Sequence, residues 1–160
     1  MTKQHGIALA RPPTKRSSIL VVDDEQAIRE LLRLHLENAG YRVIDAPDAV
    51  VGGKLLIRNA RELDLLIVDA HLPYMTGIDF AAAVIADMTL PPLPIVLITG
   101  HQDLVSRADV LDVPCLVKPF SADALLEVIA KSLALRLSPS DAALRYGAIA
   151  SLVRGRARSA

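Results

Sequence analysis

The sequence has few of the residues that build disulfide-rich, membrane-spanning or aromatic-rich proteins. Among its 160 residues there is no tryptophan and only one cysteine, Cys115, so an internal disulfide is excluded. The longest stretch without a formal charge, residues 88–102, is too short to span a bilayer and contains three prolines. The apolar segment 4–10 is too brief for a signal peptide. We therefore predict a cytoplasmic protein that does not enter a membrane.

An excess of charge of one sign is also missing, because the formal net charge is zero. The charges are nevertheless unevenly placed: residues 1–17 hold four basic residues and no acid, and residues 138–160 hold four arginines and one aspartate. The middle of the chain is therefore acidic, which argues against nucleic-acid binding by the core, since phosphates would be repelled. A hydrophobic content of 52% is ample for one compact domain of this length.

Apolar runs of strand length alternate with segments of helical periodicity. The predicted strands are 19–22, 41–46, 63–68, 94–98 and 113–117, and the predicted helices are 25–39, 48–60, 77–88, 102–110 and 121–137. This alternation predicts an α/β fold with a doubly wound parallel sheet covered on both faces, spanning residues 18–137. A flexible basic segment, 1–17, precedes it, and a basic extension that can form a helix, 138–160, follows it.

Charged residues follow several of the predicted strands. The pair Asp23-Asp24 closes the first strand, Asp69 closes the third, and Lys118 closes the fifth. The carboxyl ends of parallel strands meet at one edge of a sheet, where open α/β folds keep their ligand sites. Carboxylates this close repel one another unless positive charge lies among them, so the pattern predicts a hard divalent cation beside the lysine. It is typical of a site that accepts a phosphoryl group on Asp69.

Oxygen ligands for Mg²⁺ can be assigned from these positions. Asp24 and Asp69 could each give one oxygen, the backbone carbonyl of His71 and waters could complete an octahedron, and Asp23 could orient one of the waters. The product of phosphoryl transfer to a carboxylate is a mixed anhydride, which hydrolyses readily and suits a transient signal.

Two further side chains could contact the phosphoryl group. Lys118 can pair with Asp69 before transfer and with the phosphoryl oxygens after it. Thr99 ends the fourth strand beside the small residue Gly100, so its hydroxyl could turn toward the incoming group. Each short motif alone would be weak evidence for a functional site. The prediction rests on the order and spacing of all the motifs together.

Taken in order, these motifs resemble the receiver domain of two-component response regulators, the CheY-like family. The resemblance covers residues 17–137 and rests on the following elements: Val21 to Glu25, Asp69 followed by Pro73 and Gly77, Thr99-Gly100, and Lys118-Pro119-Phe120. It implies a flavodoxin-like (βα)5 fold with strand order 2-1-3-4-5 and a cis bond between Lys118 and Pro119. It also implies Mg²⁺-dependent phosphorylation of Asp69 by a histidine kinase or a histidine phosphotransfer protein, with no enzymatic activity beyond the chain's own phosphoryl transfer and dephosphorylation.

The sequence departs from that family at the switch. Receivers usually carry Tyr or Phe three residues before the site lysine, whereas this chain has Cys115. The small thiol of Cys115 cannot move through the volume that an aromatic ring occupies. The usual coupling between the Thr99 side chain and the outer face of the domain is therefore missing. The segment between Thr99 and Lys118 also looks shorter than usual. We predict a short fourth helix and an atypical switch that signals through a changed surface.

Two histidines stand beside the predicted site. His71 lies two residues after Asp69, and His101 lies two residues after Thr99, positions that in receivers flank the path of the hydrolytic water. Their imidazoles could slow or position that water and make the phosphoryl lifetime depend on pH. Exposed loop histidines with little effect are the alternative.

We expect a stand-alone receiver, with no DNA-binding domain, that acts by protein contact on a downstream partner. The extension 138–160 could bind a partner or form a homodimer, or it could fold back on the domain or stay disordered. A phosphorylation-independent binding module, and the receiver fragment of a longer regulator, are the alternative interpretations. A dinucleotide or P-loop site is not supported, because neither glycine-rich pattern occurs.

Overall fold

The computed structural model describes residues 15–135 as five parallel strands and five α-helices. The sheet order is β2-β1-β3-β4-β5, as the resemblance implies. The strands are β1 (Ser18–Val22), β2 (Arg42–Ala46), β3 (Leu63–Asp69), β4 (Ile95–Thr99) and β5 (Cys115–Val117). The helices are α1 (Gln26–Asn38), α2 (Ala49–Asn59), α3 (Gly77–Ala86), α4 (Val105–Val110) and α5 (Ala122–Ala134). The predicted flavodoxin-like α/β fold is confirmed.

The central strands β1, β3 and β4 are mostly hydrophobic because helices cover both faces of the sheet. Alternate residues of each strand point to opposite faces, and this produces two cores. The first core contains Leu20, Val22, Leu66, Val68 and Leu97, with residues of α2, α3 and α4. The second contains Ile19, Val21, Leu65, Ile67 and Ile98, with residues of α1 and α5. β1 pairs with β3 through Ile19↔Leu65 to Val22↔Val68, which brings the carboxyl ends of the two strands level.

Local signals fix where the helices begin and end. Side chains of Asp48, Thr76 and Ser121 accept hydrogen bonds from backbone N–H groups in the first turns of α2, α3 and α5. The start predicted at Ser121 is therefore confirmed. Gly40 lies just beyond α1 with φ +92°, a conformation that favours glycine, and it ends the helix within one residue of the predicted end at 39.

The fifth strand is shorter than predicted. It begins at Cys115 rather than at residue 113, because Pro114 has no N–H to donate and contributes only its carbonyl, which accepts from the Leu97 N–H. Asp112, with φ +53°, turns the chain just before it. α4 has six residues and follows a single 3₁₀ turn at Gln102–Leu104, so the prediction of a short fourth helix is confirmed.

Within residues 15–135, no helix is long and apolar enough to cross a membrane. The basic extension 138–160 and its predicted helix lie outside the described residues, as does most of the predicted flexible segment 1–17.

Candidate functional site

Three carboxylates meet at the carboxyl ends of β1 and β3. Asp23, Asp24 and Asp69 each have an oxygen within 4.8 Å of an oxygen of the other two. Asp23 and Asp69 are almost completely buried, with 1% and 5% exposure, whereas Asp24 is exposed. The predicted convergence of the acidic pair and the strand-end aspartate is therefore present, and it leaves one carboxylate open to solvent.

Lys118 supplies the positive charge among these acids. Its Nζ lies 2.7 Å from Asp69 Oδ2 and 3.4 Å from Asp23 Oδ2, and it is 3.6 Å from the exposed Glu25. The backbone N–H of Lys118 donates to the Thr99 carbonyl at 2.7 Å, and the bond to Pro119 is cis, as the resemblance implies. The ammonium therefore joins β5 to the acids of β1 and β3.

Burial changes the proton affinities of the site. Removal from water raises the pKa of Asp23 to about 6, and the nearby charge of Asp69 acts in the same direction. The Glu25 N–H, which donates to Asp23 Oδ1 at 2.8 Å, and the charge of Lys118 both oppose that rise. Burial disfavours the charge on Lys118, but its hydrogen bond and ion pair with Asp69 outweigh this effect and raise its pKa. The lysine therefore stays charged at neutral pH.

A close helix approach holds Asp69 in place. The Gly77 N–H donates to the Ala70 carbonyl at 2.9 Å, and a Cβ on Gly77 would lie 1.7 Å from the backbone oxygen of Asp69. Only glycine fits there, which explains why the spacing of eight residues between Asp69 and Gly77 matters. The N–H of His71 donates to Asp69 Oδ1 at 2.8 Å and fixes the carboxylate from the other side.

Thr99 is fully buried at the end of β4, and its hydroxyl is engaged with the following loop. Its Oγ1 accepts from the His101 N–H at 3.0 Å and donates to the His101 carbonyl at 3.3 Å. The rings of His71 and His101 face each other across the two loops, with centroids 5.7 Å apart and planes tilted by 48°. The threonine is thus tied to its own loop.

Cys115 lies on β5, the edge strand, and is half-buried. It pairs with Leu97 in the β4–β5 register and packs against the core on the α3 and α4 face. Burial raises the pKa of the thiol, and the charge of Asp109 adds to that rise. The side chain at this position is therefore a neutral thiol and not an aromatic ring.

Arg29 is a residue of the site that the sequence motifs do not reveal. Its Nη1 donates to the backbone carbonyl of Asp23 at 2.8 Å, and its Nε donates to Asp45 Oδ2 at 3.0 Å. Arg33 binds the other oxygen of Asp45. The guanidinium therefore holds the loop of the acidic pair against β2. A basic residue on the first helix, with an acid on the second strand, is the only sequence signal for this link.

The donor set fits Mg²⁺. All three side chains are carboxylates, whose oxygens are the ligands that this hard cation prefers, and Lys118 alone leaves the cluster with an excess of negative charge. His71, whose backbone carbonyl is also a predicted ligand, is held beside the cluster by its N–H bond to Asp69.

Comparison with known proteins agrees with this arrangement. The family model described as the response regulator receiver domain matches residues 19–130. The chemotaxis protein CheY of Pseudomonas aeruginosa is 32% identical over 117 residues, covering 71% of this chain and 93% of CheY. The phosphate regulon transcriptional regulatory protein PhoB of the same organism is 31% identical, covering 78% of this chain and 54% of PhoB, so the chain spans about half of that relative.

A solved structure gives the same result. The response regulator TrrA from Thermotoga maritima, crystallised in complex with Mg²⁺-BeF, has a TM-score of 0.66 and 30% identity, with coverage of 72% of this chain and 98% of TrrA. The carboxylate cluster, the lysine that joins it, the strand order and these matches lead to one assignment: the chain belongs to the CheY-like receiver domain family of two-component response regulators.

Proposed function

We propose that Asp69 is the phosphoacceptor of this receiver and that a histidine kinase or histidine phosphotransfer protein is the donor. The observation that carries the proposal is the environment of its carboxylate, which is buried, held by the His71 N–H and paired with the Lys118 ammonium at 2.7 Å. A carboxylate oxygen attacks phosphorus, an O–P bond forms, and the bond from phosphorus to the donor nitrogen breaks, with its electron pair leaving on the imidazole.

The acids of β1 would hold a magnesium ion during this step. Asp24 and Asp69 would give one oxygen each, the His71 carbonyl would give a third, and Asp23 would orient a bound water. When bound, Mg²⁺ supplies the positive charge that offsets repulsion between the carboxylates and the phosphoryl oxygens.

Lys118 and Thr99 respond to the new group. The ammonium moves its hydrogen bond from Asp69 Oδ2 to a phosphoryl oxygen, which keeps it paired. For the Thr99 hydroxyl to donate to the phosphoryl group, it must release the His101 carbonyl, which it now contacts at 3.3 Å. Phosphorylation would therefore loosen the β4–α4 loop directly. Residues 100–137 would then present a changed surface to a downstream protein. Because residue 115 is a cysteine, no aromatic ring at that position takes part in this change.

The histidine rings would govern how long the signal lasts. His71 and His101 lie on the two loops beside Asp69 and contact each other there. We expect them to restrict the approach of water, so that His71→Ala and His101→Ala shorten the lifetime of the phosphoryl group. A longer lifetime in both variants would show instead that the rings position the water.

Intact mass after incubation with acetyl phosphate or phosphoramidate tests the main proposal. The native chain should gain one phosphoryl group only with Mg²⁺, and Asp69→Asn should gain none. Asp87→Asn is the matched control, because Asp87 lies just beyond the C-terminal end of α3, at the edge of the sheet opposite the carboxylate cluster. Labelling that survives in Asp69→Asn would refute the assignment of the acceptor, and the decay of the label in the same samples tests the histidines.

A phosphorylation-independent binding module is the second candidate. It is favoured by the six-residue α4 and by Cys115 at the switch position, since both weaken the usual route from the site to the surface. No gain of mass in the native chain, with either donor and with Mg²⁺, would support this alternative.

A further inference from the structure

The contact between the His71 and His101 rings is not required for the transfer of a phosphoryl group to Asp69. The chain has four histidines, and His71 and His101 come from different loops yet lie with ring centroids 5.7 Å apart. Both side chains are exposed, so the contact buries little apolar surface. Neutral imidazole is the commonest side-chain ligand for transition metals. The two imidazoles can therefore act together as ligands of one metal ion.

The spacing also suits one shared ion. An imidazole nitrogen binds zinc at about 2.0–2.1 Å, so two ring centroids on one ion lie roughly 5 to 6.4 Å apart, depending on the angle at the metal. The observed separation falls inside that range. We propose that His71 and His101 form a second metal site, selective for imidazole-binding divalent ions such as Ni²⁺, Zn²⁺ or Cu²⁺.

The backbones of both histidines are already held in place. The His71 N–H donates to Asp69 Oδ1 at 2.8 Å, and the His101 N–H donates to Thr99 Oγ1 at 3.0 Å. Each ligand thus stands two residues beyond a buried strand-end side chain. Binding an ion would require a rotation of the rings but little ordering of the loops, which lowers the entropic cost of the site.

Ligand chemistry separates this site from the carboxylate cluster. Mg²⁺ prefers oxygen and binds imidazole poorly, whereas nickel, copper and zinc favour imidazole nitrogen. Excess Mg²⁺ therefore competes for the carboxylate cluster but not for the two rings. An ion on the rings would tie the β3–α3 loop to the β4–α4 loop beside Asp69. Because the second loop also carries the Thr99 contacts, the ion would hold that loop in its present position.

Calorimetric titration of the full chain with Ni²⁺, in excess Mg²⁺ and without a phosphoryl donor, tests the site. The native chain should bind one ion at this pair, and His71→Ala and His101→Ala should each weaken binding roughly tenfold or more. His35→Ala is the matched control, since His35 lies on α1, and it should bind as the native chain does. Native affinity in either single variant would overturn the proposal, because a shared ion needs both rings.

Folding of the variants is checked by circular dichroism, and His71→Gln with His101→Gln provides a second pair that keeps a polar side chain. Paramagnetic broadening by Ni²⁺ should reach the amides of both histidines in the native chain. Broadening at only one of them would refute a shared site. None of these readings depends on phosphorylation, so they stand or fall separately from the role proposed for Asp69.

The consequence for signalling does rest on the proposed function. Bound Ni²⁺ should slow labelling by acetyl phosphate in the native chain and leave the rate unchanged in the double variant His71→Ala/His101→Ala. Binding without any change in the native rate would overturn the idea that the ion restrains the loops.

Discussion

The acids of the site lie at the ends of central strands of the sheet, whereas its lysine lies at the end of an edge strand. Asp23 directly follows β1, and Asp69 is the last residue of β3. The apolar residues of both strands are almost entirely buried, and the strands pair from Ile19↔Leu65 to Val22↔Val68. Lys118 follows β5, an edge strand of three half-buried residues beside the six-residue α4. Segments with few buried contacts open at low cost in free energy, whereas central strands do not. The carboxylates are therefore held rigidly, and we expect the response to the proposed phosphorylation on the lysine side.

The largest expected effect concerns the rigid side. Gly77→Ala should lower the free energy of unfolding by roughly 3 kcal/mol, because the new Cβ would meet the backbone oxygen of Asp69 at 1.7 Å and neither main chain can yield cheaply. Urea denaturation measures this loss.

Gly53→Ala is its matched control. A Cβ at Gly53, inside α2, meets only the Phe80 ring at 3.8 Å, an ordinary contact. The helical alanine should therefore stabilise the protein by about 0.5–1 kcal/mol. Equal stability of Gly77→Ala and the native chain would mean that α3 is not pressed against β3, and the contrast between the two sides would fail.

The next effect concerns the arginine that holds the acidic loop. Arg29→Ala should cost about 2 kcal/mol, since the variant loses a charged hydrogen bond to the Asp23 carbonyl and another to Asp45. It should also weaken Mg²⁺ binding, measured by calorimetry, because the loop of the acidic pair is no longer held.

Two further variants test whether Arg29 acts on the loop of the acidic pair. Arg42→Ala removes an ion pair with Glu62 whose side chains are both more than half exposed, so it should cost less than about 1 kcal/mol and leave Mg²⁺ affinity unchanged. Arg29→Lys should restore part of the affinity. If Arg29→Ala binds Mg²⁺ as tightly as the native chain, the arginine stabilises β2 alone.

Much of this architecture could be predicted from the sequence. Continuous apolar runs ending in Asp23-Asp24, Asp69 and Lys118 identify buried parallel strands and bring their ends together, which is how the fold and the cluster are predicted. The contacts of Arg29 could not be predicted, because nothing in the sequence shows which carbonyl a polar residue on an amphipathic helix contacts. The ring contact of His71 and His101 depends on loop conformations. Loop sequences lack the hydrophobic periodicity from which helices and strands are predicted.

A smaller effect follows from the buried charge of Asp23. Its pKa is about 6 in the folded chain and 3.8 in the ordinary state. Between those values the folded chain binds more protons, so in the presence of a chelator its stability should fall as pH rises from about 4 to 6 and stay low above that range. Asp23→Asn should remove this fall and be more stable than the native chain at pH 7 in the chelator.

The measurement is thermal unfolding at several pH values, with and without Mg²⁺. The cation should stabilise the native chain at pH 7 more than it stabilises Asp23→Asn, because it offsets charge that the variant lacks. A native stability that rises steadily from pH 4 to 7 in the chelator would contradict the buried charge.

The smallest expected effect lies on the lysine side. Cys115→Ala should change the free energy of unfolding by less than about 1 kcal/mol, since the residue is half-buried on an edge strand and its neutral thiol makes few contacts to lose. Cys115→Tyr places the ring that receivers usually carry at this position, and it should be tolerated because Cys115 is only half-buried. A loss above about 2 kcal/mol in the alanine variant would show that β5 is packed as tightly as a central strand. The lysine side would then be as rigid as the acids, and the switch would have to act elsewhere.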